Sequence, residues 1–259
     1  MPELPDVEGY RRYLAHHAQG RRVERVHADP TILRNTTPQG LGRALVGGVL
    51  GPPRRHGKWL SCPVDGPTLV LHFGMTGSLV WSGEEPERHP YDRMILEVEG
   101  GELRYRDMRK LGGVWVVPRG VDVESVTGPL GPDAQRIDRE DLVELLARRR
   151  GGVKAALMDQ RMLAGLGNLL VDEILWRARV HPRRAIGDLG RGDLERIADR
   201  TEEVLRLSIE LGRVPPDETW LMGSRDGRDA TCPRCGTTLE RVKAGGRTSV
   251  FCPRCQPWS

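Results

Sequence analysis

Four of the five cysteines fall into two pairs, Cys232-x2-Cys235 and Cys252-x2-Cys255, with sixteen residues between them. Each pair can wrap two thiolates around one edge of a tetrahedral Zn²⁺, and an intervening hairpin would bring the pairs together. The same residues could form two disulfides. However, the start MPELPDVEGYRR has no basic stretch followed by an apolar run, so no secretory leader is read there and disulfides are disfavoured. One structural zinc ion is expected, and four thiolates leave no open position for catalysis by it. Cys62 lies outside the pattern and reads as a small buried residue.

A second candidate for chemistry is the amino terminus. Residue 2 is Pro, and initiator Met removal would leave a secondary amine. An α-amino group titrates near 8, so a useful fraction is neutral at pH 7 and can attack a carbonyl or an opened sugar. Glu3 lies beside it and could move protons. The ordinary alternative is a frayed terminus. Lysine is a third cue, because only four of the 40 basic residues are lysines: Lys58, Lys110, Lys154 and Lys243. Unlike Arg, Lys can lose its proton near neutral pH.

These residues need elements to hold them. No run of 18 apolar residues occurs, so no membrane span is read. Residence in the cytosol, and so with DNA in a bacterium, is the expectation. Residues 1–130 alternate in short runs such as 68–73, 94–98 and 113–117. Turn signals at Asp65-Gly66, Gly100-Gly101 and Pro118-Arg119-Gly120 separate them. They predict a two-layer β-sandwich opened by a helix from Val7 to about Gln19. A Gly- and Pro-rich linker at 126–133 leads to a helical region, 131–224. Helices are expected from Asp138 as cap, over 153–159, over 169–178 and over 193–211, then loop through 212–231. The last part, 225–259, is the cysteine ribbon. The fold class is therefore α+β. Net charge is +4, and from Arg225 onward seven basic residues face three acidic ones, so the tail alone accounts for the excess. A basic tail concentrates phosphate-binding potential.

The stretches PELPDVE at 2–8, HGKWL at 56–60, LHFGMTG at 71–77 and RYRDMRKLGG at 104–113 occur in one order. LMDQRMLAGLGNLLVDEILWRARVHP at 157–182 and the ribbon GGRTSVFCPRCQ follow. End to end, the chain resembles the formamidopyrimidine-DNA glycosylase/endonuclease VIII family. The resemblance implies a β-sandwich, a helix–two-turn–helix domain and a zinc-ribbon hairpin, with DNA in a cleft between lobes. It implies Pro2 as nucleophile on C1′ and Glu3 as its acid/base partner. Lys58 would bind phosphate and assist proton transfer; without the resemblance it reads as a solvated turn lysine.

The turn Gly165-Leu166-Gly167-Asn168 matches a phosphate-binding turn, in which glycines let N–H groups approach an anion at a helix N-terminus. Asn168 would add a donor or cap the helix, and Arg149 and Lys154 would flank it on the backbone. Arg247 matches an arginine gripping phosphates at the lesion. Met75 and Arg109 match two residues that fill the hole left by a flipped nucleotide, and Leu111 falls at the third. Tyr91 and Arg93 fall where the family contacts backbone.

The implied activity is a bifunctional glycosylase and abasic-site lyase on duplex DNA, acting as a monomer through β,δ-elimination. Two alternatives stand beside it: a monofunctional glycosylase for bulky or cross-linked bases, and a non-catalytic damage-binding protein of the same fold. Asp6 replaces the family's usual Glu. The stretch 212–231 is shorter than in the oxidised-purine enzymes, so base preference does not transfer.

Overall fold

The computed structural model describes residues 2–83, 88–227 and 229–258. Met1 and Arg228 of the basic tail lie outside these. Two compact units divide the chain: residues 6–129 with Met1–Pro2, and residues 130–259 with Glu3–Pro5.

The first unit opens on α1 (Leu4–His17), whose first turn belongs to the second unit. The helix begins three residues before the predicted Val7, because Pro is tolerated in a first turn, where its missing N–H has no intrahelical partner to lose. β1 (Val23–Ala28), α2 (Pro38–Leu45), β2 (Arg54–His56), β3 (Trp59–Pro63), β4 (Thr68–His72), β5 (Ser78–Ser82), β6 (Asp92–Val98), β7 (Gly101–Arg106) and β8 (Gly113–Val117) follow. The strands form two antiparallel four-stranded sheets, ordered β1-β6-β7-β5 and β2-β3-β4-β8. Leu60, Leu69, Leu71 and Val114 of one sheet share a core with Met94, Leu96 and Leu103 of the other, and with Val7 and Leu14 of α1. That is the predicted sandwich. The predicted linker starts later than expected, since 124–127 form a single turn, α3 (Glu124–Thr127).

The second unit contains α4 (Arg139–Ala147), α5 (Val153–Met158), α6 (Asn168–Ala178), α7 (Arg191–Leu211) and a short α8 (Leu221–Ser224), then the hairpin β9 (Glu240–Ala244) and β10 (Arg247–Phe251). Asp138 is the residue before α4, as expected, but its side chain makes no capping bond. α8 lies inside the stretch read as loop. Its Leu221 N–H donates to Glu173 Oε2 at 2.8 Å, and Trp220 beside it is buried under the Arg177 guanidinium, 4.3 Å above the ring. The hairpin turns on Gly245 and Gly246, both with positive φ, as a two-residue primed turn requires. A side chain at Gly245 would meet the Ala155 backbone at 3.1 Å, so the turn sits against α5.

Candidate active site and DNA-contacting residues

In the second unit Glu3 is fully buried, with its carboxylate at the N-terminus of α6. Oε1 accepts from Leu169 N at 2.8 Å, and Oε2 accepts from Gly167 N at 3.0 Å and Leu170 N at 3.1 Å. The positive end of the helix and three N–H donors stabilise negative charge there. The glycines of the turn exist for this arrangement: a Cβ at Gly167 would lie 2.3 Å from Glu3 Cδ, and one at Gly165 would lie 2.4 Å from a methyl of Leu4. The expectation that the glycines admit a phosphate to these amides is thus corrected. The anion seated on Gly167, Leu169 and Leu170 is the chain's own Glu3.

Asn168 does not cap the helix, because Gly167 occupies the cap position. Its Oδ1 accepts from Lys154 Nζ at 2.7 Å, and its Nδ2 donates to the Thr248 carbonyl at 3.2 Å. Lys154 is corrected as well. It is not a flanking surface cation but is fully buried, with further bonds to Asp172 Oδ1 at 2.6 Å and Ser249 Oγ at 2.5 Å. Burial pushes its ammonium below the usual lysine range, while Asp172 opposes that shift. Arg149 is exposed after α4, and Arg247 is exposed at the start of β10.

The four Sγ atoms of Cys232, Cys235, Cys252 and Cys255 lie within 4.8 Å of one another. Cys235 is 3.5 Å from both Cys252 and Cys255, and Cys232 is 3.9 Å from Cys255. Tetrahedral zinc with Zn–S bonds of ~2.3 Å needs S···S separations of about 3.8 Å, so the donor set fits. Trp176 Nε1–H donates to Cys232 Sγ at 3.4 Å, an outer contact that orients one ligand. Cys62 is buried in the first unit, and burial pushes its thiol up to about 12.

In the first unit two loops present the apolar tips. Asp107, fully buried, joins them: Oδ1 accepts from Thr76 Oγ1 at 2.5 Å and from Arg109 N at 3.1 Å, and Oδ2 accepts from Gly112 N at 3.1 Å. Gly74 has positive φ, and a Cβ there would lie 2.4 Å from Gly112 N, so the loops pack backbone to backbone. Met75, Arg109 and Leu111 all stand exposed, and an Arg109 guanidinium nitrogen lies 3.3 Å from Met75 Sδ. Hydrophobicity by itself reads Met75 as core. Arg93 is half-buried, donates to the Asp107 carbonyl at 3.0 Å and lies 5.6 Å from the Tyr91 ring. Lys58 is half-buried on the turn between β2 and β3, after Gly57 with φ +56°. Pro2 is buried.

Three family models match this chain: the formamidopyrimidine-DNA glycosylase N-terminal domain over residues 1–114, its H2TH domain over 129–215, and a zinc finger found in FPG and IleRS over 231–257. The chain belongs to the formamidopyrimidine-DNA glycosylase family. It is 36% identical to formamidopyrimidine-DNA glycosylase of a Nocardioides strain, covering 99% of this chain and 95% of that protein. Identity to the Streptococcus mutans protein of that name is 32%, over 99% of both chains. Among solved structures, Lactococcus lactis formamidopyrimidine-DNA glycosylase bound to DNA containing an abasic site superposes with a TM-score of 0.85 at 28% identity. It covers 99% of this chain and all of that one. The same enzyme with N7-benzyl-Fapy-dG DNA gives a TM-score of 0.85 at 27% identity.

Sequence reasoning passed over His72 and Asp107 in this glycosylase-family chain. His72 pairs with Trp59 across β3 and β4, with ring centroids 4.8 Å apart. Burial and the neighbouring Lys58 charge push its imidazole down to about 4. Nδ1 accepts from Gly74 N at 3.3 Å, which leaves Nε2 as the protonated, donating nitrogen. Both residues lie inside quoted motifs, LHFGMTG and RYRDMRKLGG. The available signal was a titratable residue inside each motif, His72 two positions before Gly74 and Asp107 five before Gly112.

Proposed function

We propose that this chain is a base-excision DNA glycosylase that also cleaves the strand at the abasic site, using the amine of Pro2. The observation that carries the reading is the anchoring of Glu3. A frayed terminus is the ordinary fate of residue 2, yet here the next residue is fully buried and held by three amides. The amine is thereby tied to a rigid helix start, as a nucleophile must be.

On this reading, the secondary amine freed by loss of Met1 attacks C1′ of a damaged nucleotide flipped out of duplex DNA. The N–C1′ bond forms as the C1′–N bond to the base breaks, and the amine proton passes to the departing base. The C1′–O4′ bond then breaks, O4′ takes up a proton, and an iminium is left between Pro2 and C1′. The fixed Glu3 carboxylate would offset that positive charge and relay a proton to the opened sugar oxygen. Proton loss from C2′ eliminates the 3′ phosphate, and a second elimination releases the 5′ phosphate. Lys58 would contact phosphate and move protons, and His72 would donate from Nε2. Asn168, Arg149, Arg247, Tyr91 and Arg93 would contact backbone, while Met75, Arg109 and Leu111 would fill the vacated stack. A single zinc ion on the four cysteines would hold the hairpin and take no part in the reaction, and a monomer would suffice.

Borohydride trapping on a duplex with an abasic site tests this. A single covalent protein–DNA adduct is expected, lost when the Pro2 amine is blocked. Absence of an adduct, or an adduct that survives the blockage, would remove Pro2 from the mechanism. Base release without strand cleavage would instead support a monofunctional enzyme.

A further inference from the structure

Lys154, Asp172 and Ser249 are each 2% exposed or less, and none touches solvent enough to act on a ligand directly. They form one connected polar cluster across three elements. Lys154 Nζ on α5 donates to Asp172 and Asn168 on α6 and to Ser249 on β10. The second Asp172 oxygen accepts from Arg225 at 3.2 Å and from the Val250 amide at 3.3 Å. Asn168 returns a bond to the Thr248 carbonyl. Three successive residues of strand β10 are thus tied down: Thr248 and Val250 to Asn168 and Asp172 on α6, and Ser249 to Lys154 on α5. The residue before them is Arg247. The hairpin turn beside Arg247 also rests on Ala155, next in sequence to Lys154.

We infer that Lys154 and Asp172 are positioning residues that lock strand β10 to α6, and so set Arg247 beside Asn168 as a two-point clamp for one DNA backbone. The inference rests on the proposed phosphate-contacting roles of Arg247 and Asn168. The far end of the hairpin, where the cysteines lie, is packed on Trp176 and would be held by the zinc ion. A two-stranded ribbon pinned at one end can still swing at the other. Burying a lysine and a carboxylate is unfavourable against an apolar core unless their geometry is used. A shared network of charge-assisted bonds gives that end a single register.

The test is a double-mutant cycle on the full-length, zinc-loaded protein, measured by binding to a duplex carrying a tetrahydrofuran abasic-site analogue. Ser249→Ala removes one acceptor from Lys154 and is the gentle variant; Asp172→Asn is the strong one. Ser249→Ala is expected to weaken binding about tenfold, at unchanged zinc content. It should also lower the slope of log affinity against log salt by about one, as Arg247→Ala does. In an Arg247→Ala background neither variant should weaken binding further. Additive losses, or an unchanged salt slope in Ser249→Ala, would show the cluster to be merely structural and overturn the positioning role. If Arg247→Ala alone leaves affinity and slope at wild-type values, the phosphate reading of Arg247 falls first, and the inference falls with it. Should Asp172→Asn not fold, Ser249→Ala and Lys154→Met still decide the outcome.

Discussion

On the two loops of the first unit Met75, Met108 and Leu111 are 39%, 51% and 50% exposed, whereas in the second unit Glu3, Lys154 and Asp172 are buried to 2% or less. Apolar side chains stand in water in one region, and charges sit in the interior in the other. Each arrangement is unfavourable for the folded chain by itself. The loops are nevertheless rigid, because Asp107 and the Gly74–Gly112 approach hold them. The charges are satisfied, because every one has a hydrogen-bonded partner on another segment. The difference teaches that the two regions serve different ends. On the proposed reading the exposed tips would meet another apolar surface, the opened base stack. The buried charges act on the protein itself, fixing its amino terminus and its hairpin.

The strongest test of that contrast is at Lys154. Lys154→Ala leaves Asp172 with fewer counter-charges inside the protein and should lower stability by about 3 kcal/mol in urea unfolding. The double variant Lys154→Met/Asp172→Leu should recover much of this, since an apolar pair needs no partner. Equal losses in both would mean that packing, not charge, governs the cluster. Gly167→Ala comes next. Its methyl would run into the Glu3 carboxylate, so about 2 kcal/mol of stability should go, together with most of the borohydride adduct. An adduct at wild-type yield would separate Glu3 placement from the chemistry.

Smaller in stability terms is Met75→Ala/Leu111→Ala. Unfolding should shift by no more than about 0.5 kcal/mol, while affinity for abasic duplex falls about tenfold relative to undamaged duplex. A loss of stability with no loss of discrimination would return these residues to the core. The last effect concerns His72 and is seen only on the acid side. Its imidazole stays neutral down to about 4 in the folded protein, whereas 6.5 is its ordinary value. Between those limits the unfolded chain binds a proton that the folded one refuses. Stability should therefore fall as pH drops from 6.5 to about 4, and His72→Phe should flatten that segment of the curve.

Much of the site was legible from residue type and order. The four cysteines needed only their spacing, because tetrahedral thiolate ligation dictates it. Helix and strand positions followed from periodicity to within a few residues. The misses have identifiable causes. Pro5 hid the start of α1, and α8 is too short to show a period. The glycines of the α6 turn were assigned to a phosphate because sequence shows that they permit close approach, but not what approaches.

The sequence by itself determined the family, the four cysteines of the candidate metal site, the alternation of the sandwich and the proline at residue 2. Only the tertiary structure decided that Glu3 occupies the helix start 164 positions away, and that Lys154 is a buried strut. It also decided that Asp107 braces the loops. Local patterns report what a segment can bury. Which charge meets which amide across the chain depends on how distant segments pack, and that information exists only once they have come together.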